Sequence, residues 1–120
     1  MGKGERLRKT SQFAEIREHG RTWACEFVVL RAMPNGLGWN RYGFVVSKRL
    51  GNAVARNRVK RLLREVVRLT PTDTGWDMVF IARNRITTAN YQQIEAAVTK
   101  LLRKARVLAG MSEAERTGRV

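Results

Sequence analysis

Side chains that bind phosphate are concentrated in one short part of the sequence. Residues 48–68 hold eight Lys or Arg and a single acid, Glu65, which leaves half of the net charge of +14 in this stretch. Arginine presents a planar fork of N–H donors and lysine a compact point charge, and both suit phosphate oxygens. A solvated helix surface normally mixes charges of both signs. A ratio of eight to one therefore favours a surface that binds a polyanion, either DNA or RNA, with an acidic membrane surface as a weaker alternative.

The element that positions these cations is a helix predicted over residues 52–69. Its apolar residues recur at helical spacing as one stripe: Ala55, Val59, Leu62, Leu63, Val66 and Val67. The basic residues and Asn57 fall opposite this stripe or at its edges. Arg56 and Arg58 stand in the first turns, where the helix dipole already supplies positive charge, so a bound phosphate would relieve the repulsion. Pro71 ends the pattern because the residue before a proline disfavours helix.

Five further elements are predicted. In chain order they are a helix capped by Ser11 that ends at Gly20, strands over 23–33, 41–47 and 77–83, and a helix over 90–108. The fold class is α+β: one domain over 1–108, with a mixed sheet of about four strands and three helices, covered by helices on one face. Residues 109–120 have little to bury and predict a disordered tail.

Length and composition exclude several classes of protein. The chain has 120 residues, of which 43% are hydrophobic, so it can build the core of one domain and is not a disordered basic tail. It contains no apolar run near the about 20 residues that a membrane span needs, and no apolar stretch of a secretory signal at its start. A lone cysteine, Cys25, excludes an internal disulfide and suits a reducing compartment.

A search for catalytic or metal-binding groups finds no complete set. His19, the only histidine, stands beside Gly20, where it caps the first helix or meets a phosphate. Together with Cys25 it is too little for zinc, and no serine or cysteine has a base with an orienting partner. The acidic residues are too scattered for the carboxylate cluster of a metal-dependent nuclease, and no phosphate-binding loop follows a strand. The polypeptide alone is predicted to bind rather than to catalyse, with no metal site of its own.

Aromatic residues offer a second mode of binding. Those predicted on the first helix and the sheet are Phe13, Trp23, Phe27, Tyr42, Phe44 and Phe80. Bases of single-stranded nucleic acid stack on such rings, although most aromatic side chains in a small domain belong to its core. The sheet face that the two long helices leave open could form a cleft with the first helix for an unpaired strand.

The central part of the sequence resembles a known family. Residues 42–65, YGFVVSKRLGNAVARNRVKRLLRE, are similar to the signature region of the protein component of bacterial ribonuclease P, including its Arg-Asn-Arg core at 56–58. Residues 6–20, RLRKTSQFAEIREHG, and the predicted strand 77–83 followed by Asn84 also resemble that family. The resemblance extends from residue 5 to about residue 108, which is nearly the whole chain.

The resemblance implies a fold and a function. Family members are small α+β domains in which a strand, the basic helix and the next strand form a left-handed crossover, against the usual rule. Their catalyst is a large RNA that uses Mg²⁺ to remove the 5′ leader of precursor tRNA. The protein subunit binds that RNA and holds the single-stranded leader in a cleft between the first helix and the sheet. We therefore expect a cytoplasmic subunit whose partners are the catalytic RNA and precursor tRNA, with no cofactor of its own, no membrane and no required protein partner.

The resemblance also assigns residues to two sites. The RNA-contacting stretch corresponds to Lys48, Arg49, Arg56, Asn57, Arg58, Lys60, Arg61 and Arg64. The leader cleft corresponds to Phe13, Arg17, Phe27 and Leu30. Two of these depart from the family, since Arg17 replaces a frequent second aromatic and Leu30 stands where some members have tyrosine. The departures predict a leader contact that depends more on charge and less on stacking.

Three other functions would fit the same charge and size. A ribosomal or RNA-assembly protein would bind RNA without taking part in cleavage. A DNA-binding domain would read a groove with the basic helix, although such helices usually belong to a helix-turn-helix and this one is flanked by strands. A protein-only nuclease would need a carboxylate cluster, which the sequence does not supply.

Overall fold

The fold consists of a five-stranded sheet with helices on both faces. The computed structural model describes residues 4–108. Its elements are β1 (Gly4–Arg6), α1 (Thr10–His19), β2 (Arg21–Ala24), β3 (Val28–Pro34), β4 (Asn40–Val45), a 3-10 turn (Lys48–Leu50), α2 (Ala53–Leu69), β5 (Trp76–Ala82), a second 3-10 turn (Asn84–Thr88) and α3 (Tyr91–Lys104). The α+β class with three helices and a mixed sheet is confirmed, with five strands among these residues instead of about four.

The strand order across the sheet is β1-β4-β5-β3-β2. The central pair, β4 and β5, is parallel and is joined by α2, which is the strand–helix–strand crossover that the resemblance implies. Its left hand stays a prediction from the family. Strand β1 also runs parallel to β4, whereas β3 is antiparallel to both β5 and β2. The parallel pairing places the carboxyl ends of β4 and β5 side by side at one end of the sheet.

The main core lies between the sheet and the helices α2 and α3. Alternate residues of the strands point toward it, among them Leu30 on β3 and Phe80 on β5, both fully buried. The stripe of α2 contributes Val59 and Leu63, and α3 contributes Leu101. The rings of Phe44 and Phe80 stack with their centroids 5.7 Å apart. Periodicity in both helices and alternation in the strands therefore converge on one apolar layer.

The opposite face of the sheet carries α1, so helices cover part of both faces rather than one. Leu7, Ile16 and Val79 form a second, smaller buried cluster there, with Phe13 packed against it. Phe13 lies directly over Gly43 of β4. A Cβ at Gly43 would lie 2.7 Å from ring atom Cε1 of Phe13. The absence of a side chain at this position lets α1 approach the sheet closely.

A network of polar side chains connects the loops at the end of the sheet where β4 and β5 begin. Asn40, which is buried, accepts a hydrogen bond from the backbone N–H of Trp76 and donates to the backbone oxygen of Asp73. Asp77 accepts two hydrogen bonds from the guanidinium of Arg41, at 2.7 and 2.8 Å, and one from Asn35. The hydrogen bond with Asp77 raises the pKa of Arg41. A buried carboxylate is tolerated here because its charge is paired and its oxygens are satisfied.

Several predicted elements differ from the structure. The last helix, predicted over 90–108, ends at Lys104, and Leu108 instead forms an antiparallel bridge with Thr72. The single strand predicted over residues 23–33 is two strands, β2 and β3, separated by the turn Cys25–Phe27, where the backbone N–H of Cys25 bonds to the oxygen of Val28. The first helix starts at Thr10 with Lys9 as its N-cap residue, and the side chain of Gln12, not of Ser11, accepts hydrogen bonds from the backbone N–H groups of Arg8 and Lys9. Strand β1 has three residues and too little apolar content to be predicted. The tail predicted over 109–120 lies outside the described residues.

Candidate nucleic-acid interface

Helix α2 presents the predicted basic residues on the side opposite its buried stripe. We call the set of eight residues assigned above to the RNA-contacting stretch the basic surface. Six of its members are exposed, and Arg56 and Lys60 are half-buried. None of its Lys or Arg side chains has a carboxylate within salt-bridge distance among residues 4–108. Unpaired guanidinium and ammonium groups on one ridge are suited to contact phosphates.

The start of α2 is fixed by short-range contacts. Asn52 caps the helix by accepting a hydrogen bond from the N–H of Ala55 at 2.9 Å. Ser47 caps the preceding 3-10 turn in the same way, through the N–H of Arg49. Gly51 joins the two at φ 138°, a conformation that only glycine adopts readily. These caps hold Lys48 and Arg49 next to the first turn of α2, where the helix dipole adds to their positive field.

Two arginines of α2 differ from the others in their partners. Arg56 is half-buried, and its Nε atom is buried with no hydrogen-bond partner among the described residues. Arg68 is paired with Glu65 through a contact of 2.7 Å, and this hydrogen bond raises the pKa of Arg68. Since Glu65 is the only acid of residues 48–68, it neutralises Arg68, outside the basic surface, and leaves the surface uncompensated.

The parallel pairing of β4 and β5 adds cations that the sequence analysis did not assign. Val45 at the end of β4 is paired with Ile81 near the end of β5, so the turn that follows each strand starts at the same edge of the sheet. Arg83 and Arg85 are exposed there, and the 3-10 turn that contains Arg85 contacts the 3-10 turn that carries Lys48. Their segment, residues 69–89, has a net charge of zero, which hides them in a count along the chain. The parallel register would have been the signal to find them.

A cleft runs between α1 and the basic surface. On the face that carries α1, Val29, Ile81 and Val45 lie side by side on three neighbouring strands, and Val45 is 39% exposed. Phe13 lies over Gly43, two residues before Val45 on β4, and Arg17 is exposed on the last turn of α1. The row leads toward the carboxyl end of β4 and from there to Lys48. We call this groove, with Phe13, Arg17 and Arg31, the α1 cleft.

Two residues predicted to line this cleft lie elsewhere. Leu30 is fully buried in the core under α2 and α3, because neighbouring residues on a strand point to opposite faces. Phe27 packs on the same face as Leu30, the one that α2 and α3 cover, and lies near α3. The residue of β3 that does face α1 is Arg31, whose Nη1 donates to the backbone oxygen of Arg17 at 3.4 Å. Leu30 and Arg31 therefore lie on opposite faces of β3, and of the two only Arg31 is on the face that carries α1.

The titratable side chains that could bind a metal ion are dispersed in the part of the chain that the structure describes. Over residues 4–108, no three His, Cys, Asp or Glu side chains are placed to hold a metal ion. His19 is exposed at the end of α1, and Cys25 is half-buried with its thiol 3.5 Å from the oxygen of Val28. No helix among these residues is long and apolar enough to span a bilayer.

A mixed α+β sheet with an unpaired basic ridge and an adjoining apolar row defines a small nucleic-acid-binding domain. Comparison with known proteins identifies its family. The family model described as Ribonuclease P matches residues 1–106. A ribonuclease P protein component of Dehalococcoides mccartyi is 41% identical over 113 residues, which cover 94% of each chain. The chain belongs to the ribonuclease P protein family, whose members are protein subunits of an RNA-based endoribonuclease.

Solved structures support the same assignment. The ribonuclease P protein of Staphylococcus aureus superposes with a TM-score of 0.79 at 32% identity, covering 88% of this chain and 99% of that one. The ribonuclease P protein of Thermotoga maritima gives a TM-score of 0.74 at 30% identity, covering 83% of this chain and 96% of that one. These matches disfavour the alternatives of a DNA-binding domain and of an assembly protein without a part in cleavage.

Proposed function

We propose that this protein binds the catalytic RNA of ribonuclease P through the basic surface and thereby assists the removal of 5′ leaders from precursor tRNA. The observation that carries the proposal is the set of unpaired Lys and Arg side chains on α2, in a chain whose family is that of the ribonuclease P proteins. Phosphate contacts of this kind supply most of the affinity for RNA and fix orientation without reading bases.

The α1 cleft is the proposed place for the single-stranded leader. It is lined by an apolar row, one aromatic ring and two arginines, Arg17 and Arg31, neither of which has a carboxylate partner among residues 4–108. One aromatic ring allows limited stacking, whereas two guanidinium groups favour phosphates. The leader is thus held in this protein more through its backbone than through its bases.

The chemistry of cleavage belongs to the RNA in this proposal. The described residues supply no cluster that could hold a metal ion, and we assign the Mg²⁺ ions that the reaction uses to the complex with RNA. The polypeptide contributes positive charge that offsets phosphate repulsion where leader and catalytic RNA meet. Its required partners are then the two RNAs alone, in the cytoplasm.

The leader-dependent affinity of the assembled enzyme tests this proposal. The holoenzyme, reconstituted with a bacterial ribonuclease P RNA, is titrated with a precursor tRNA and with the corresponding mature tRNA, and the same titration is repeated with the RNA alone. The protein is expected to raise affinity for the precursor and to leave affinity for the mature tRNA nearly unchanged. An equal gain for both tRNAs, or no gain for either, would show that the protein does not engage the leader.

A further inference from the structure

A pocket on the sheet face that α2 and α3 cover belongs to neither of the two sites described above. It has a volume of about 440 Å³ and lies between the β2–β3 turn and one side of α3. We call it the α3 pocket, and its lining residues are Cys25, Glu26, Phe27, Gln93, Ala96, Ala97 and Lys100. This volume falls within the range of small-ligand pockets, roughly 300–1,000 Å³, and is sufficient for a nucleobase with its sugar.

The lining combines a ring with a few polar groups at the rim. Phe27 is half-buried, and Ala96 and Ala97 bring no bulk that would obstruct its approach by a flat group. Gln93 uses its side-chain oxygen to accept a hydrogen bond from the N–H of Asn90, which leaves the amide nitrogen free to donate. Lys100 is exposed and has no carboxylate within salt-bridge distance among residues 4–108.

These groups match the parts of a nucleotide. An aromatic ring stacks on any base, an amide N–H donates to the acceptor atoms on a base edge, and an ammonium group binds phosphate. The acid of the lining, Glu26, is near Arg85, with 3.6 Å between Oε2 and Nη1, so its repulsion of a phosphate is partly offset.

The pocket is physically continuous with the RNA-binding end of the sheet. Arg83 donates from its backbone N–H to the oxygen of Phe27 at 2.9 Å and from its side chain to the oxygen of Cys25 at 3.0 Å. The wall of the pocket is therefore bonded to the residue that follows β5, beside the turn that carries Lys48. Since Val28 is paired with Ala82 and Val45 with Ile81, the β2–β3 turn and the end of β4 lie at the same edge of the sheet.

We infer that the α3 pocket binds one unpaired nucleobase of RNA, stacked against Phe27 with its phosphate near Lys100. The inference rests on the proposed function, because the ligand must come from the RNAs that this subunit engages. The base comes either from the catalytic RNA or from the precursor tRNA. A base bound in this pocket explains why Phe27 is only half-buried although it lies on the sheet face that α2 and α3 cover.

Filling the pocket tests the inference. In the full-length chain, Ala96→Trp places an indole where the base would stack, and Gln92→Trp puts the same side chain on an exposed position of α3 outside the lining. Lys100→Gln removes the ammonium group, and Arg103→Gln removes an equal charge one turn away. Binding of each variant to a bacterial ribonuclease P RNA is measured first, followed by binding of precursor tRNA to the reconstituted holoenzyme.

Ala96→Trp is expected to weaken one of these two affinities by about tenfold relative to Gln92→Trp, equivalent to about 1.4 kcal/mol. A loss in the first measurement assigns the base to the catalytic RNA, and a loss in the second assigns it to the precursor. If Ala96→Trp fails to fold, as judged by circular dichroism, the Lys100→Gln and Arg103→Gln pair decides, with an expected threefold difference.

If the pocket variants and their controls bind both RNAs with equal affinity, and the unmodified protein binds normally, the α3 pocket does not hold a base. The proposed function would then remain intact. Failure of the unmodified protein to bind either RNA would overturn both.

Discussion

At the scale of single residues, the charge partner decides which arginines of α2 are available to RNA. Arg64 and Arg68 lie one turn apart on the same helix and are both exposed. Only Arg68 is held by Glu65, at 2.7 Å. A guanidinium that already has a carboxylate must lose that contact before it binds phosphate, so the two residues should not contribute equally.

We therefore predict that Arg64→Ala reduces the slope of log affinity against log salt by about 1, as expected for one lost phosphate contact. Arg68→Ala, which removes the same charge, should change the slope by less than half as much. Filter binding of the catalytic RNA between low and high salt gives both slopes. Equal reductions in the two variants would show that the ion pair with Glu65 does not restrain Arg68.

Gly43 controls the seating of α1 through a single steric contact. A Cβ at this position would lie 2.7 Å from Cε1 and 2.9 Å from Cζ of Phe13, so Gly43→Ala must displace the ring or the helix. We expect a loss of about 1–3 kcal/mol in the free energy of unfolding. Gly38→Ala is the matched control, since nothing lies within 4 Å of its Cβ position, and should change the free energy by less than about 0.5 kcal/mol. Urea denaturation of both variants measures the difference.

At the scale of elements, neighbouring residues of β3 face opposite sides of the sheet, so one belongs to the core and the next to the α1 cleft. Leu30 is fully buried and Arg31 is half-buried on the opposite face. Leu30→Ala should lower the free energy of unfolding by about 2–5 kcal/mol. Arg31→Ala should cost less than about 1.5 kcal/mol, because it loses one long hydrogen bond of 3.4 Å, yet weaken precursor binding by about threefold to tenfold.

Urea denaturation and precursor titration of the holoenzyme check this pair of variants. A stable Leu30→Ala protein with weakened leader binding, beside a normal Arg31→Ala protein, would reverse the assignment of the two faces.

The elements differ in how far the sequence predicts them. Helix α2 was predicted within one residue because its apolar residues keep one helical stripe over four turns, and Asn52 and Pro71 mark its two ends. Strands β2 and β3 were merged because the turn at Cys25–Phe27 lacks Gly and Pro, and its reversal depends on backbone contacts with Val28 and Arg83. Local pattern carries no information on such nonlocal contacts.

The residues of the site also differ in how far the sequence predicts them. The cations of α2 were found because they are adjacent in sequence and share one helix face. Arg31 was missed because a strand reverses its facing with every residue, so an error of one position moves a residue from the cleft to the core. Arg83 was missed because only the parallel pairing of β4 and β5 brings it near Lys48.

At the scale of the whole molecule, the charge is focused rather than spread. The net charge is +14, and half of it lies on residues 48–68, which form α2 and the 3-10 turn before it, next to the α1 cleft. A focused field of one sign concentrates phosphates at one edge of the domain and is strongly screened by salt. In the proposed function, the catalytic RNA and the leader of the precursor tRNA both bind at this edge of the domain.

The salt dependence of RNA binding follows from that arrangement. If about six side chains of the basic surface pair with phosphates, log affinity should fall against log salt with a slope of about −4 to −5. The double variant Arg56→Ala/Arg58→Ala should flatten the slope by about 1 to 2. Arg103→Ala/Lys104→Ala removes an equal charge from exposed positions of α3 outside the α3 pocket and serves as the control. An unchanged slope in the α2 variant would mean that the RNA contacts lie elsewhere.

The most direct test of the central claim is cleavage of a precursor tRNA at low Mg²⁺ in three parallel reactions. One contains this protein alone, one a bacterial ribonuclease P RNA alone, and one contains both. We predict leader removal in the mixture, little with the RNA alone at this Mg²⁺ concentration, and none with the protein alone. Cleavage by the protein alone would contradict the assignment of catalysis to the RNA, and a mixture no more active than the RNA alone would contradict the role of this chain as the ribonuclease P subunit.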